Sequence, residues 1–240
     1  MNSIVDTRSL RKDNGLHPIA IALDPIEDAI AAIARGEMVV VVDDADRENE
    51  GDLIMAADAV TPQAINFMSV EGRGLICVSM PGERLEALDL PQMVAKNADY
   101  QSTGFAITCD LRVGTTTGIS ASDRALTIRA LADRHSVAAD FNRPGHVFPL
   151  RAHPQGVLGR PGHTEASVDL ARLAGRAPAG VLCEIAAPDG SMARMPDLLL
   201  FTRRHGLKLV AIEDLIAWRM RSETDPGRAL CEPRRRNREY

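Results

Sequence analysis

The stretch Asp43-Asp44-Ala45-Asp46-Arg47-Glu48-Asn49-Glu50-Gly51-Asp52 puts six carboxylates and one arginine into ten residues. It follows the apolar run 38–42, Met-Val-Val-Val-Val, without a spacer. That run is short and β-branched, which predicts a buried strand. A strand ending in such a loop delivers carboxylates to one spot at a sheet edge. So many like charges repel one another unless a cation lies among them, and oxygen-rich sites suit Mg²⁺ or Mn²⁺. A solvated acidic turn is the alternative reading. A calcium hand is not: with Asp46, Glu48, Glu50 and Gly51 in the first half of that loop, Ala57 stands where a bidentate Glu is needed.

Working outward, 240 residues suffice for a full core. Apolar content of 45% and charged content of 25% are those of a globular protein. A net charge of −5 and 3% aromatic residues argue against nucleic-acid binding. No apolar run approaches a membrane span. The first residues carry Asp6, Arg8, Arg11, Lys12 and Asp13 instead of an apolar signal core, so residues 1–20 read as a loose leader. Cys77, Cys109, Cys183 and Cys231 lack metal-ligand spacing. They are expected to be reduced thiols of a cytoplasmic protein.

Before the acidic stretch, Asp24-Pro25-Ile26-Glu27 predicts a helix capped by Asp24 and closed by Gly36. After it, strands are expected over 53–57, 75–80, 105–111, 181–187 and 208–212. Helices are expected over 61–72, 81–88, 122–133, 164–173, 196–205 and 213–221. Residues 90–103 lack periodicity and form a long loop, the kind that serves as a flap. The fold class is α+β: one domain over 21–221, a mixed β-sheet flanked by helices. An arginine-rich tail over 222–240 is expected to be disordered.

Three further stretches bear chemistry. Residues 114–123, Gly-Thr-Thr-Thr-Gly-Ile-Ser-Ala-Ser-Asp, lead into a helix, so their hydroxyls either help bind phosphate or cap that helix. Arg-Pro-Gly-His occurs twice, at 143–146 and 160–163, and Pro-Gly implies a tight turn that presents each histidine at a fixed angle. The second copy runs into a helix start, where Arg160 and first-turn N–H groups can hold one phosphate beside His163. Glu184 interrupts the apolar strand Val-Leu-Cys-Glu-Ile. It is either a half-buried proton carrier or an outward-facing strand residue.

The acidic stretch, the run 142–151, Gly162-His163-Thr164-Glu165-Ala166, the run 179–184, Met192-Ala193-Arg194 and Ile212-Glu213-Asp214-Leu215 together resemble the 3,4-dihydroxy-2-butanone 4-phosphate synthases of riboflavin biosynthesis. The resemblance covers roughly residues 24–219. It implies conversion of D-ribulose 5-phosphate to formate and L-3,4-dihydroxy-2-butanone 4-phosphate. It also implies Mg²⁺ or Mn²⁺, two ions per site, and a homodimer with its active site near the interface. Glu48 and His163 are the implied metal ligands, and His146 and Glu184 the implied catalytic pair. Arg47, Glu48, Asp52, Glu184 and the run Arg160, Pro161, Gly162, His163, Thr164 are implied to contact the sugar phosphate. Thr117 is a further phosphate candidate, and Asp43 and Glu50 are expected to order water or hydroxyls. Ala45 replaces an acid common in the family. Fusions to GTP cyclohydrolase II also occur, but the cysteine cluster of that enzyme is not found here, so a single activity is expected. An isomerase or aldolase acting on another sugar phosphate, and a catalytically silent phosphate-binding module, are the rival readings.

Overall fold

The computed structural model describes residues 23–224; the leader through residue 22, the tail from 225 and Cys231 lie outside them. Among the described residues seven strands form one mixed sheet: β1 (Val39–Val42), β2 (Gly51–Ala56), β3 (Cys77–Pro81), β4 (Cys109–Leu111), β5 (Phe141–Ala152), β6 (Gly180–Glu184) and β7 (Lys208–Ala211). The order across the sheet is β4-β5-β3-β6-β2-β1-β7. β1 runs parallel to β7 and antiparallel to β2, while β3 runs parallel to β5 and antiparallel to β6. This is the expected α+β class. Every valine of β1 is buried, as a β-branched strand hemmed in by neighbours should be.

Seven α-helices accompany the sheet: α1 (Ile26–Ala34), α2 (Pro62–Phe67), α3 (Gly82–Ala87), α4 (Ala121–Ala132), α5 (His163–Leu173), α6 (Met195–His205) and α7 (Ile212–Thr224). α2 starts as its sequence predicts, with Thr61 Oγ1 accepting the Ala64 N–H at 3.1 Å and Pro62 in the first turn. α5 is the central helix, packed on β2, β3 and β6, and is buried from His163 to Ala171. Its polar side chains are therefore matched. Glu165 accepts from His153 N and Arg160 Nη1, and Asp169 from Val157 N and Arg219 Nη1. No described helix is long and apolar enough to cross a membrane.

Several expectations need correction. Asp24 does not cap α1; its carboxylate takes Lys208 Nζ at 2.8 Å and the Leu209 N–H at 2.9 Å, tying the helix start to β7. The first Arg-Pro-Gly-His is not a tight turn. Residues 143–146 lie within the long strand β5, with a cis Arg143–Pro144 peptide. A register shift between Cys109 and Asp110 accommodates this stretch against β4. Of the strand expected over 105–111, only Cys109–Leu111 is regular; Phe105 and Ala106 make isolated bridges to Leu150 and Gln92. α7 continues past Arg221 to Thr224. Cys77, Cys109 and Cys183 are buried free thiols, as expected. Burial pushes Cys109 and Cys183 up to about 12.

Candidate active site

The acidic stretch is the turn of the β1–β2 hairpin, and three devices hold it. Asp43, whose side chain has 0% exposure, accepts from Arg47 Nη1 at 2.8 Å, Glu48 N at 3.0 Å and Glu50 N at 2.8 Å. Both its oxygens are thereby committed to closing the turn. Asp43, expected to order water or hydroxyls, is in this structure an internal fastener of the loop. Arg47 also donates to Glu48 Oε2 at 2.8 Å. Finally, Gly51 lets the hairpin lie against α6, since a Cβ there would meet Leu198 Cδ1 at 2.6 Å.

Register then gathers the carboxylates. Asp52 is paired with Glu184 across β2 and β6, so the two side chains are neighbours on one face. Leu75 N–H donates to Glu184 Oε2 at 2.8 Å, and only glycine fits at 74, where a Cβ would lie 2.5 Å from that same oxygen. Glu184 is thus half-buried and held from behind, not directed outward.

His163 opens α5 directly beneath β1. Its Nε2 lies 3.2 Å from the Val41 carbonyl oxygen, a contact in which the ring nitrogen donates. That leaves Nδ1 facing Glu48 Oε2 at 3.6 Å and Asp52 Oδ1 at 3.9 Å. A histidine fixed through one nitrogen to a backbone carbonyl, with the other turned to carboxylates, is the usual arrangement of a metal ligand. Ligand atoms of Asp43, Glu48 and His163 all lie within 4.8 Å of one another. Asp52 Oδ1 is buried without a hydrogen-bond partner. An orphaned buried oxygen, a carboxylate and a free imidazole nitrogen form a donor set that fits a hard divalent cation.

The charges act on one another accordingly. The facing imidazole of His163, 3.6 Å away, and the Arg47 guanidinium draw the Glu48 carboxyl down to about 2. Burial pushes Asp52 up to about 7. Burial alone would lower His163, but the neighbouring Asp52 and Glu48 raise it to about 9. A proton or a metal ion can therefore occupy Nδ1, and the two compete.

These groups line a cleft of about 170 Å³. Arg47, Glu48, Glu50, Asp52, Arg160, His163, Thr164 and Glu184 line its polar side, with Cys77, Phe105, Leu150 and Leu182 as an apolar floor. Pro161 and Gly162 lie just outside the lining; a Cβ at Gly162 would meet Arg160 Nη1 at 2.5 Å and Arg47 Nη2 at 3.1 Å. Arg160 also secures the irregular 90–103 segment, donating to the Gln101 carbonyl at 3.0 Å and Thr103 Oγ1 at 3.3 Å. Thr103 thereby joins the lining, which the sequence did not indicate.

Two expected residues stand apart. Thr117 is exposed and outside the lining. In its segment Ser120 caps α4, accepting the Asp123 N–H at 3.0 Å, so the capping reading of that stretch holds there. His146 is also outside the lining, its side chain 44% exposed. It stands two residues before Phe148, the register partner of Cys77, at the same end of the sheet as Glu184. Two strand spacings, about 10 Å, separate them. Asp110 Oδ2 lies 2.7 Å from His146 Nδ1, and Oδ1 accepts the His146 backbone N–H at 2.8 Å. This orienting carboxylate was missed, although it interrupts an apolar strand just as Glu184 does.

A profile of the 3,4-dihydroxy-2-butanone 4-phosphate synthases matches residues 27–218. The chain belongs to that family. It is 62% identical over 193 residues to the 3,4-dihydroxy-2-butanone 4-phosphate synthase of Agrobacterium fabrum, covering 80% of this chain and 91% of the relative. It is 60% identical over 201 residues to the riboflavin biosynthesis protein RibBA of Aquifex aeolicus, covering 83% of this chain but 50% of that protein. Among solved structures, a synthase in complex with two magnesium ions superposes with a TM-score of 0.81 at 47% identity, covering 84% of this chain and 99% of that one. The family expected from the resemblance is thus shown.

Proposed function

We propose that this synthase-family chain converts D-ribulose 5-phosphate into formate and L-3,4-dihydroxy-2-butanone 4-phosphate. The observation that carries the reading is Glu48 and His163 Nδ1 facing one another at 3.6 Å beside an unpartnered, buried Asp52 oxygen. Mg²⁺ or Mn²⁺, two ions per site, would be held there by Glu48 and His163, dispersing the negative charge that builds on adjacent substrate oxygens. Removing the C3 proton, losing the C1 hydroxyl as water, shifting the skeleton and expelling C4 as formate all require proton transfers. Glu184 and His146 carry them, Asp110 orients His146, and Glu50 and Asp52 hold substrate hydroxyls. Arg160, Thr164 and the first-turn N–H groups of α5, which lack intrahelical partners, bind the phosphate. Arg47, Pro161 and Gly162 shape that end of the cleft.

The exposed position of His146 and Thr117 supports a homodimer with the site near the interface, in which these residues complete the cleft of a second copy. Val113 and Ile119, 77% and 54% exposed, flank Thr117 and supply apolar contact area for it. The catalytic unit is residues 21–221 with the end of α7, and the enzyme works in the cytoplasm. The test is formate release from ribulose 5-phosphate by purified protein, with and without chelator. Mg²⁺-dependent formate is expected. Turnover without formate would favour an isomerase or aldolase, and binding without turnover a silent module.

A further inference from the structure

The turn Met192-Ala193-Arg194 has no part in the cleft lining, yet its placement is specific. Beyond Glu184, β6 continues as a short ladder: Ala193 N–H donates to the Ile185 carbonyl at 2.9 Å, and Ala186 bridges Met192. Ile185 N–H donates in turn to the Gly51 carbonyl at 2.9 Å. The chain that leaves Glu184 thus returns to the foot of the acidic loop. At the start of α6 the backbone of Arg194 is pinned. Its N–H donates to Asp197 Oδ2 at 3.1 Å, and Asp197 N–H donates back to the Arg194 carbonyl at 2.8 Å.

From that fixed base, Arg194 Nη1 donates to the Glu48 carbonyl at 2.7 Å and also to the Asn49 carbonyl. Asn49 has φ +55°, the left-handed conformation that asparagine accepts more readily than most residues with a side chain. The two gripped carbonyls therefore belong to the expected cation ligand and to the residue that turns the chain after it. Asp43 grips the same loop through the N–H groups of Glu48 and Glu50. Donors and acceptors of one short turn are thus held from two sides.

We infer that Arg194 is a positioning residue, clamping the acidic loop from the α6 side so that the Glu48 carboxylate stands where it can share a divalent cation with His163. The inference rests on the cation-site reading above. An arginine acting through backbone carbonyls leaves the ligand set itself unchanged, so its loss should loosen the site without abolishing it. Groups outside a metal's own ligands commonly alter affinity by about 10–100-fold.

The experiment is a titration of the full chain with Mn²⁺, the free ion followed by electron paramagnetic resonance. Amide hydrogen exchange over residues 44–50 is measured in parallel without metal. Arg194→Ala is expected to weaken Mn²⁺ binding by about tenfold or more and to speed exchange of the loop, while thermal unfolding stays cooperative. Millimolar guanidinium should restore much of the lost affinity, and sodium chloride of equal ionic strength should not. An affinity within about twofold of the parent, or a loss that guanidinium leaves untouched, overturns the inference. Should Arg194→Ala fail to fold, Arg194→Met, which keeps the apolar stem without a donor, carries the test, and an unchanged Mn²⁺ affinity in that variant overturns it equally. A parent chain that binds no Mn²⁺ defeats the cation-site reading instead. The metal-free exchange data then decide alone whether Arg194 holds the loop.

Discussion

The two histidines that follow Pro-Gly sit in opposite surroundings. His163, at the head of α5, is buried, fixed by the Val41 carbonyl and faced by Glu48 and Asp52. His146, on β5, is 44% exposed in its side chain and is met by the carboxylate of Asp110. The same tetrapeptide thus sets its histidine in two different environments, suited to the two tasks proposed above. Holding an ion calls for enclosure, low mobility and several ligands converging on one point. Moving a proton calls for an oriented imidazole with an open face to meet substrate. Glu184 is intermediate, half-buried beside the ion-holding group yet lining the cleft.

If that division is right, the two tasks separate under mutation. Glu184→Gln should lower formate release by about 10³-fold while Mn²⁺ affinity and the unfolding temperature stay near those of the parent. A variant that keeps its activity, or that loses the metal as well, breaks the division. The contrast in exposure is sharpened by mixing two inactive variants, His146→Ala and His163→Ala. If each site draws His146 from one copy and His163 from the other, random re-pairing leaves about a quarter of sites whole, and activity returns. If both histidines serve from one chain, the mixture stays inactive.

A smaller effect follows from charge. Burial raises Asp52 from 3.8 to about 7, and Asp52 with Glu48 raises His163 from 6.5 to about 9. Both groups hold protons in the fold that the unfolded chain releases. Their contribution to stability is complete below the unfolded values and is lost as pH rises through about 7 and about 9. Glu48, drawn from 4.5 to about 2, acts oppositely: its contribution is present above 4.5 and lost as pH falls toward 2. Calorimetry of the metal-free protein should therefore show stability declining by on the order of 1–3 kcal/mol between neutral pH and pH 9. Added Mg²⁺ should counter the decline by taking the place of the proton at His163. Stability that rises over this range without metal would contradict the assignment.

Much of this was legible in the residues, and for local reasons. A β-branched run declares a buried strand, and Thr61-Pro62 declares a helix start, because both signals act within a few residues. The acidic turn was recognisable as a site because charge density has few structural uses beside a core strand. What was not legible depends on distant partners. Asp24 serves Lys208 and Leu209 instead of its own helix, and Asp43 spends both oxygens on the turn it begins. β5 was hidden because Pro-Gly signals a turn unless neighbouring strands enforce an extended path. Arg143, in the first Arg-Pro-Gly-His, donates to the carbonyls of Leu88, Phe141 and Ala138. It is a brace for the fold, which nothing in its own tetrapeptide distinguishes from Arg160.

The most direct measurement is a crystal of the protein soaked with Mn²⁺ and recorded at a wavelength where manganese scatters anomalously. The account predicts a peak between Glu48 Oε2 and His163 Nδ1, with both atoms at about 2.0–2.3 Å from the ion. A fully occupied peak elsewhere, with Glu48 still bonded to Arg47 and His163 Nδ1 bearing no metal, would contradict it.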